Sequence, residues 1–184
     1  MFSLFLAFLL VINNPVPYQI VFSGALIIDN FTNFVKAVIL LSSIACLAVS
    51  LDYIKHERIH AFEYSILILF AVVGMLLLVS SYDLITLYLA IEMVSLSSYV
   101  LATFKRQSAF STEAGLKYFI AGAFISCIFL LGASLVYGSL GTLNFNSLSL
   151  LLSFNLNTDL IYIKMFSLVG ILLITITLLF KVAA

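Results

Sequence analysis

Residues Leu84 to Phe104 read LITLYLAIEMVSLSSYVLATF, an apolar run with one ionisable side chain, Glu92, near its middle. At ~1.5 Å rise per residue such a run makes a helix about as long as the ~30 Å hydrocarbon core of a bilayer is thick. Lipid offers no partner to a backbone amide, so a run of this kind must be helical and must pack with others like it. Glu92 is then in an expensive place. A carboxylate in hydrocarbon costs several kcal/mol unless it is protonated, paired or wetted, which makes it a candidate functional group. Tyr88, Glu92, Ser95 and Tyr99 follow at spacings of four, three and four and so share one helix face. That polar seam calls for a partner helix or a file of water.

The remaining composition agrees. Of 184 residues, 64% are hydrophobic and only 9% charged, with a formal net charge of zero, which excludes a soluble domain and leaves no basic surface for nucleic acid. Cys46 and Cys127 both sit in apolar runs and read as small buried hydrophobes, neither a disulfide nor metal ligands. The start, MFSLFLAFLLVINNPVP, lacks the basic region of a secretory signal and the Arg-rich pattern of a transit peptide. Insertion during synthesis fits it best.

In chain order, residues 1–13 form an apolar segment too short to cross a bilayer alone, a half-helix, a tilted interfacial piece or a truncated span, stopped at Asn14-Pro15. The first confident span covers about 33–51, with Lys36 near enough to its start to reach the interface. Residues 52–63, DYIKHERIHAFE, read as a solvated connecting loop, although His56 and His60 stand four apart. Spans at 64–80 and 84–104 leave only Ser81, Tyr82 and Asp83 between them and so form an antiparallel hairpin. A basic loop, 105–111, then leads to Ser111-Thr112-Glu113, which has the look of a helix start.

The next span covers about 114–137. Within it Lys117 stands one turn from Glu113, and two readings stay open: an interfacial i,i+4 pair, or a lysine inside the bundle facing Glu92. Gly122 and Ser126 offer a small-residue face for close packing. Residues 138–159 read as a polar loop, within which LSLLLSF predicts a short helix lying on the membrane. The last span covers about 160–184, where Ser167, Gly170, Thr177 and Lys181 repeat at helical spacing as a second polar seam.

The predicted fold is therefore an all-α polytopic membrane protein, a single transmembrane domain of about five full spans plus the short N-terminal segment. Lys55, Arg58, Lys105 and Arg106 fall on one side of it, which the positive-inside rule puts in the matrix or cytoplasm. No nucleotide fingerprint, nucleophile–base pair or haem ligand set is present, so the chemistry left is movement of protons or ions.

The run SSYDLITLYLAIEMVSLSSYVLATFKRQSAFSTEAGLKYFIAGAFIS, followed by LLGASLVYGSLGTLNF, resembles the chain 2 family of antiporter-like membrane subunits of NADH:ubiquinone oxidoreductase, respiratory complex I. The resemblance runs from about Asp29 to Lys181 and is densest from Ser80 to Phe145. It implies an antiporter-like helix bundle, incomplete here, that serves as a proton-translocating subunit of the enzyme. It also implies roles: Glu92 as the intramembrane coupling acid, Lys117 and Lys181 as proton-relay partners. NADH, FMN, iron–sulfur clusters and ubiquinone would bind to other subunits, with no cofactor or metal in this chain.

The family continues beyond a lysine in the position of Lys181, so a gene split in two is expected, with a separate chain supplying the C-terminal half. The other partners implied are further membrane-arm subunits and lipids. The expected location is the mitochondrial inner membrane, with loops 52–63 and 105–111 in the matrix. Two rival readings are a cation/proton antiporter subunit without redox coupling and a structural or assembly subunit.

Overall fold

The computed structural model describes residues 2–13, 18–56, 61–105, 107–155 and 161–183. Arg58, His60 and Arg106 lie outside these. The structure is a bundle of helices: α1 (Phe2–Ile12), α2 (Asn30–His56), α3 (Ala61–Ser80), α4 (Leu84–Ala102), α5 (Ala109–Leu140), α6 (Phe145–Asn155) and α7 (Ile161–Ala183). Five of them, α2 to α5 and α7, are long and apolar enough to cross a membrane, and α1 is not. The five spanning helices alternate in direction along the chain. The ends of α2 and α4 and the start of α5 thus lie on one side, and the turn between α3 and α4 lies on the other.

Helix starts follow side-chain caps. Asp29 accepts from the Phe31 amide, and its own amide donates to Thr32 Oγ1, opening α2. Asp83 accepts from the Ile85 amide at α4. At α5 the cap is Ser108, whose hydroxyl accepts from the Ser111 amide. The helix therefore starts about one turn before the Ser111-Thr112-Glu113 expected for it, and Ser111 instead donates at 2.7 Å to the Ala102 carbonyl, tying α5 to the end of α4. With 32 residues, α5 is ~48 Å long and exceeds the hydrocarbon thickness.

Two expected loops are largely helix. Residues 52–56 continue α2 and Ala61 already begins α3, while 57–60 lie outside the described residues. Helical hydrogen bonding outlasts the hydrophobic pattern there, since polar residues do not stop a helix. Likewise Gly138, Ser139 and Leu140 finish α5, Gly141 closes it in the left-handed conformation (φ 73°), and α6 occupies most of the rest.

The side opposite the basic loops carries a small layer that the apolar pattern did not reveal. Strands β1 (Gln19–Val21) and β2 (Leu26–Ile28) pair antiparallel, and their connection puts Phe22, Ser23 and Gly24 at positive φ. Leu26 bridges to Ser81, the Tyr82 amide donates to the Ala25 carbonyl, and the Leu84 amide donates to the Leu143 carbonyl. Asn144 joins the hairpin through its side-chain amide, which donates to the Gly24 carbonyl at 2.9 Å. Three loops are thus stitched into one rim.

Two apolar clusters hold the helices. Leu4, Leu40, Leu47 and Val72 join α1, α2 and α3. Leu84, Phe129, Ala133, Val136, Leu148 and Ile174 join α4, α5, α6 and α7. Contact between α5 and α7 is the most extensive in the molecule and is centred on two glycines. A Cβ on Gly132 would stand 2.9 Å from the Gly170 carbonyl, and one on Gly170 would stand 2.8 Å from the Gly132 carbonyl. Small residues let these backbones meet.

Candidate functional site

Glu92 stands eight residues from the start of α4 and ten from its end, so ~12 and ~15 Å of helix separate it from the two sides. The face it shares with Tyr88, Ser95 and Tyr99 is the face turned to α5 and α7. Tyr88 stacks on Phe129 of α5, with ring centroids 5.5 Å apart. Below it, Lys181 of α7 donates to Glu92 Oε1 at 2.6 Å and to Ser95 Oγ at 3.2 Å. Ser126 of α5 donates to the same carboxylate oxygen.

The pair is largely shielded by the chain itself, with side-chain exposures of 15% for Lys181 and 19% for Glu92. Two opposite charges so placed satisfy each other where neither could stand alone. The two seams read from the sequence therefore meet. Along α7, Ser167, Gly170 and Thr177 are buried against the bundle, and the seam ends at the lysine that holds Glu92.

Lys117 lies elsewhere. Its Nζ donates to Glu113 Oε1 at 2.6 Å, with side chains 75% and 59% exposed. Of the two readings of this lysine, the structure has the i,i+4 pair, and Glu92 takes its partner from α7. The physical reason is angular: Lys117 and Ser126 are nine residues apart, and Ser126 occupies the face of α5 turned to Glu92.

Two contributions were missed. Ser126 appears in the sequence only as a small residue for packing, yet it hydrogen-bonds the carboxylate. Gly122, one turn earlier, gives room to the Tyr99 ring rather than to another backbone, since a Cβ there would collide with the Tyr99 hydroxyl. A glycine and a serine one turn apart, opposite a tyrosine and a glutamate on the neighbouring span, were the available signal.

The surroundings of the pair differ in its two directions. Toward the hairpin rim, Leu84, Phe129, Val136 and Leu148 close the bundle with apolar side chains. Toward the basic loops, Ser95, Tyr99, Tyr118 and Lys181 line a cavity of about 80 Å³. Among the described residues no three His, Cys, Asp or Glu side chains gather as a metal site.

Comparison with known proteins places this geometry in context. Residues 81–184 match the family model described as NADH:quinone oxidoreductase/Mrp antiporter, transmembrane. The chain is 43% identical over 182 residues to NADH-ubiquinone oxidoreductase chain 2 of Marchantia polymorpha, an alignment covering 96% of this chain and 36% of that protein. It is 45% identical over 152 residues to NADH-quinone oxidoreductase subunit N of Parvibaculum lavamentivorans, covering 83% and 31%.

Among solved structures, a chain of respiratory complex I from Thermus thermophilus superposes with a TM-score of 0.64 at 30% identity, over 92% of this chain and 36% of that one. A chain of the membrane-bound sulfane sulfur reductase, an archaeal respiratory complex, does so at 0.68 and 26%, over 96% and 36%. The chain spans about a third of the length of the curated relatives it matches.

Proposed function

The chain belongs to the NADH:quinone oxidoreductase/Mrp antiporter transmembrane family, and from that premise we propose that it is a proton-translocating membrane-arm subunit of NADH:ubiquinone oxidoreductase, respiratory complex I. The observation that carries this reading is the 2.6 Å pair of Lys181 with Glu92, at mid-depth of a spanning helix and drawn from residues 89 apart in the chain. An ion pair at that depth has two low-cost states, closed and charged or open and neutral. Open and charged is costly. A shift of α7 against α4 that opens the pair therefore drives a proton off the lysine and one onto Glu92, and closure reverses both transfers.

Redox chemistry supplies the work and takes place in other subunits, which hold NADH, FMN, iron–sulfur clusters and ubiquinone. Lys117 serves at the outer end of the relay through its pair with Glu113. Other membrane-arm subunits are the partners. The membrane is the mitochondrial inner membrane, with the basic stretches 52–63 and 105–111 on the matrix side, in keeping with the positive-inside rule.

The test is proton stoichiometry. In the complex reconstituted into vesicles, Glu92→Gln and Lys181→Met should each lower protons moved per electron, and an unchanged ratio at full turnover would sink the proposal. The family model also covers Mrp antiporters, so a second reading is cation/proton exchange without electron transfer. Sodium-dependent proton movement in membranes lacking quinone reduction would favour it. If Glu92→Gln assembles and pumps normally, the pair is structural.

A further inference from the structure

We propose that Tyr99 governs proton access to Lys181, its hydroxyl and that of Tyr118 carrying protons between the lysine and the basic-loop side through the cavity they share. This rests on the reading of Lys181 as a proton carrier. Tyr99 is 6% exposed, its hydroxyl lies beside Ser95, and it projects into the notch that Gly122 leaves in α5. Tyr118 meets it edge-on, with ring centroids 4.6 Å apart at 89°. On the far side Tyr118 is 37% exposed and accepts a long 3.5 Å hydrogen bond from Ser98.

The polar groups are thus graded in depth, from Lys181 and Ser95 through Tyr99 to Tyr118 and Ser98. The cavity of about 80 Å³ beside them has room for two or three waters at ~30 Å³ each, and its hydroxyls and ammonium supply the polar partners that such waters need.

The transfer balances without a charged tyrosine. Each hydroxyl releases one proton as it receives another, the ammonium of Lys181 becomes an amine, and a water beyond Tyr118 gains the proton. Run backwards, the same chain reloads the lysine. Phe119, 5.8 Å from the Tyr99 ring centroid, packs edge-on against it and holds the ring in place. Position is what the hydroxyl needs, because a proton transfers only over hydrogen-bond distance.

The experiment uses the assembled complex in vesicles, with turnover and proton movement measured in H2O and D2O. Tyr99→Phe keeps the ring and removes the hydroxyl. It should slow coupled turnover at least about tenfold, against the ~10²-fold or more that a positioned proton-transfer group contributes, and should raise the solvent isotope effect. Gly122→Ala, which displaces the hydroxyl without removing it, should do the same. A purely structural Tyr99 would leave the isotope effect where it was.

Should Tyr99→Phe not assemble, Tyr118→Phe reads the same route and is expected to show the same rise. Unchanged rate and isotope effect in the tyrosine variants, with Lys181→Met still defective, overturns this inference alone. A normal Lys181→Met overturns the underlying function as well.

Discussion

Glu92 is the residue whose placement is hardest to explain without a partner, and Lys181 is that partner. Each is the other's reason for being charged at that depth. Removing one member of such a pair strands the second, at a cost of ~3–5 kcal/mol, whereas removing both leaves neutral groups of similar size. Lys181→Met should therefore lower the heat-inactivation midpoint of the assembled complex, and adding Glu92→Gln should recover most of the loss. A double variant no more stable than the single one would count against the pairing. Lys117→Met should behave differently. Its exposed i,i+4 pair with Glu113 contributes ~0.5 kcal/mol or less, so stability should hardly move and the pumping ratio should fall less than in Lys181→Met. Glu92 was legible in the sequence because one acid in an apolar run violates the cost of burial. Ser126 was not, because a serine in such a run is unremarkable until its neighbour is known.

At the scale of elements, the α5–α7 contact is what brings Lys181 to its site. Gly132 and Gly170 set the separation of the two helices, and Lys181 follows Gly170 by eleven residues, three turns along the same face. A leucine at Gly170 would have to displace the Gly132 backbone, an overpacking cost of ~1–3 kcal/mol, and would swing α7 outward. Gly170→Leu should therefore reduce pumping with Lys181 itself intact, while Cys127→Ser should leave the ratio unchanged, since Cys127, like Cys46, is exposed and not buried as its apolar run suggested. The number and type of the spanning elements were legible from bilayer-length apolar runs. Their ends were less so. Ser108 and Ser111 both suit the start of α5, and the tertiary contacts decide between them: Ser108 accepts from the Ser111 amide while the Ser111 hydroxyl is taken by the Ala102 carbonyl.

Over the whole molecule, the rim formed by the β hairpin, the α3–α4 turn and residues 141–144 fixes one end of the bundle. Asn144 has two jobs there: it donates to Gly24 and caps α6 by accepting from the Asn146 amide. Asn144→Ala should cost ~1–2 kcal/mol through the lost cap and hydrogen bond. Because the rim stands a helix half-length from Glu92, the protons moved per electron should stay normal in whatever assembles. A changed ratio would mean that the rim is coupled to the pair. The strands of this rim are three residues each, too short for any alternation to register, which is why the hairpin was invisible beforehand. By itself the sequence determined the solvent in which the chain folds, the helical form of its spans, the hairpin of α3 and α4, and the two polar seams. Each of these follows from local cost: bilayer thickness, unsatisfied amides and charge in hydrocarbon. Only the tertiary structure decided that Lys181 and not Lys117 holds Glu92, that Ser126 joins them, and that a cavity opens toward the basic loops. Those depend on how α4, α5 and α7 rotate against one another, and rotation is set by contacts such as Gly132 with Gly170 that link residues far apart in the chain.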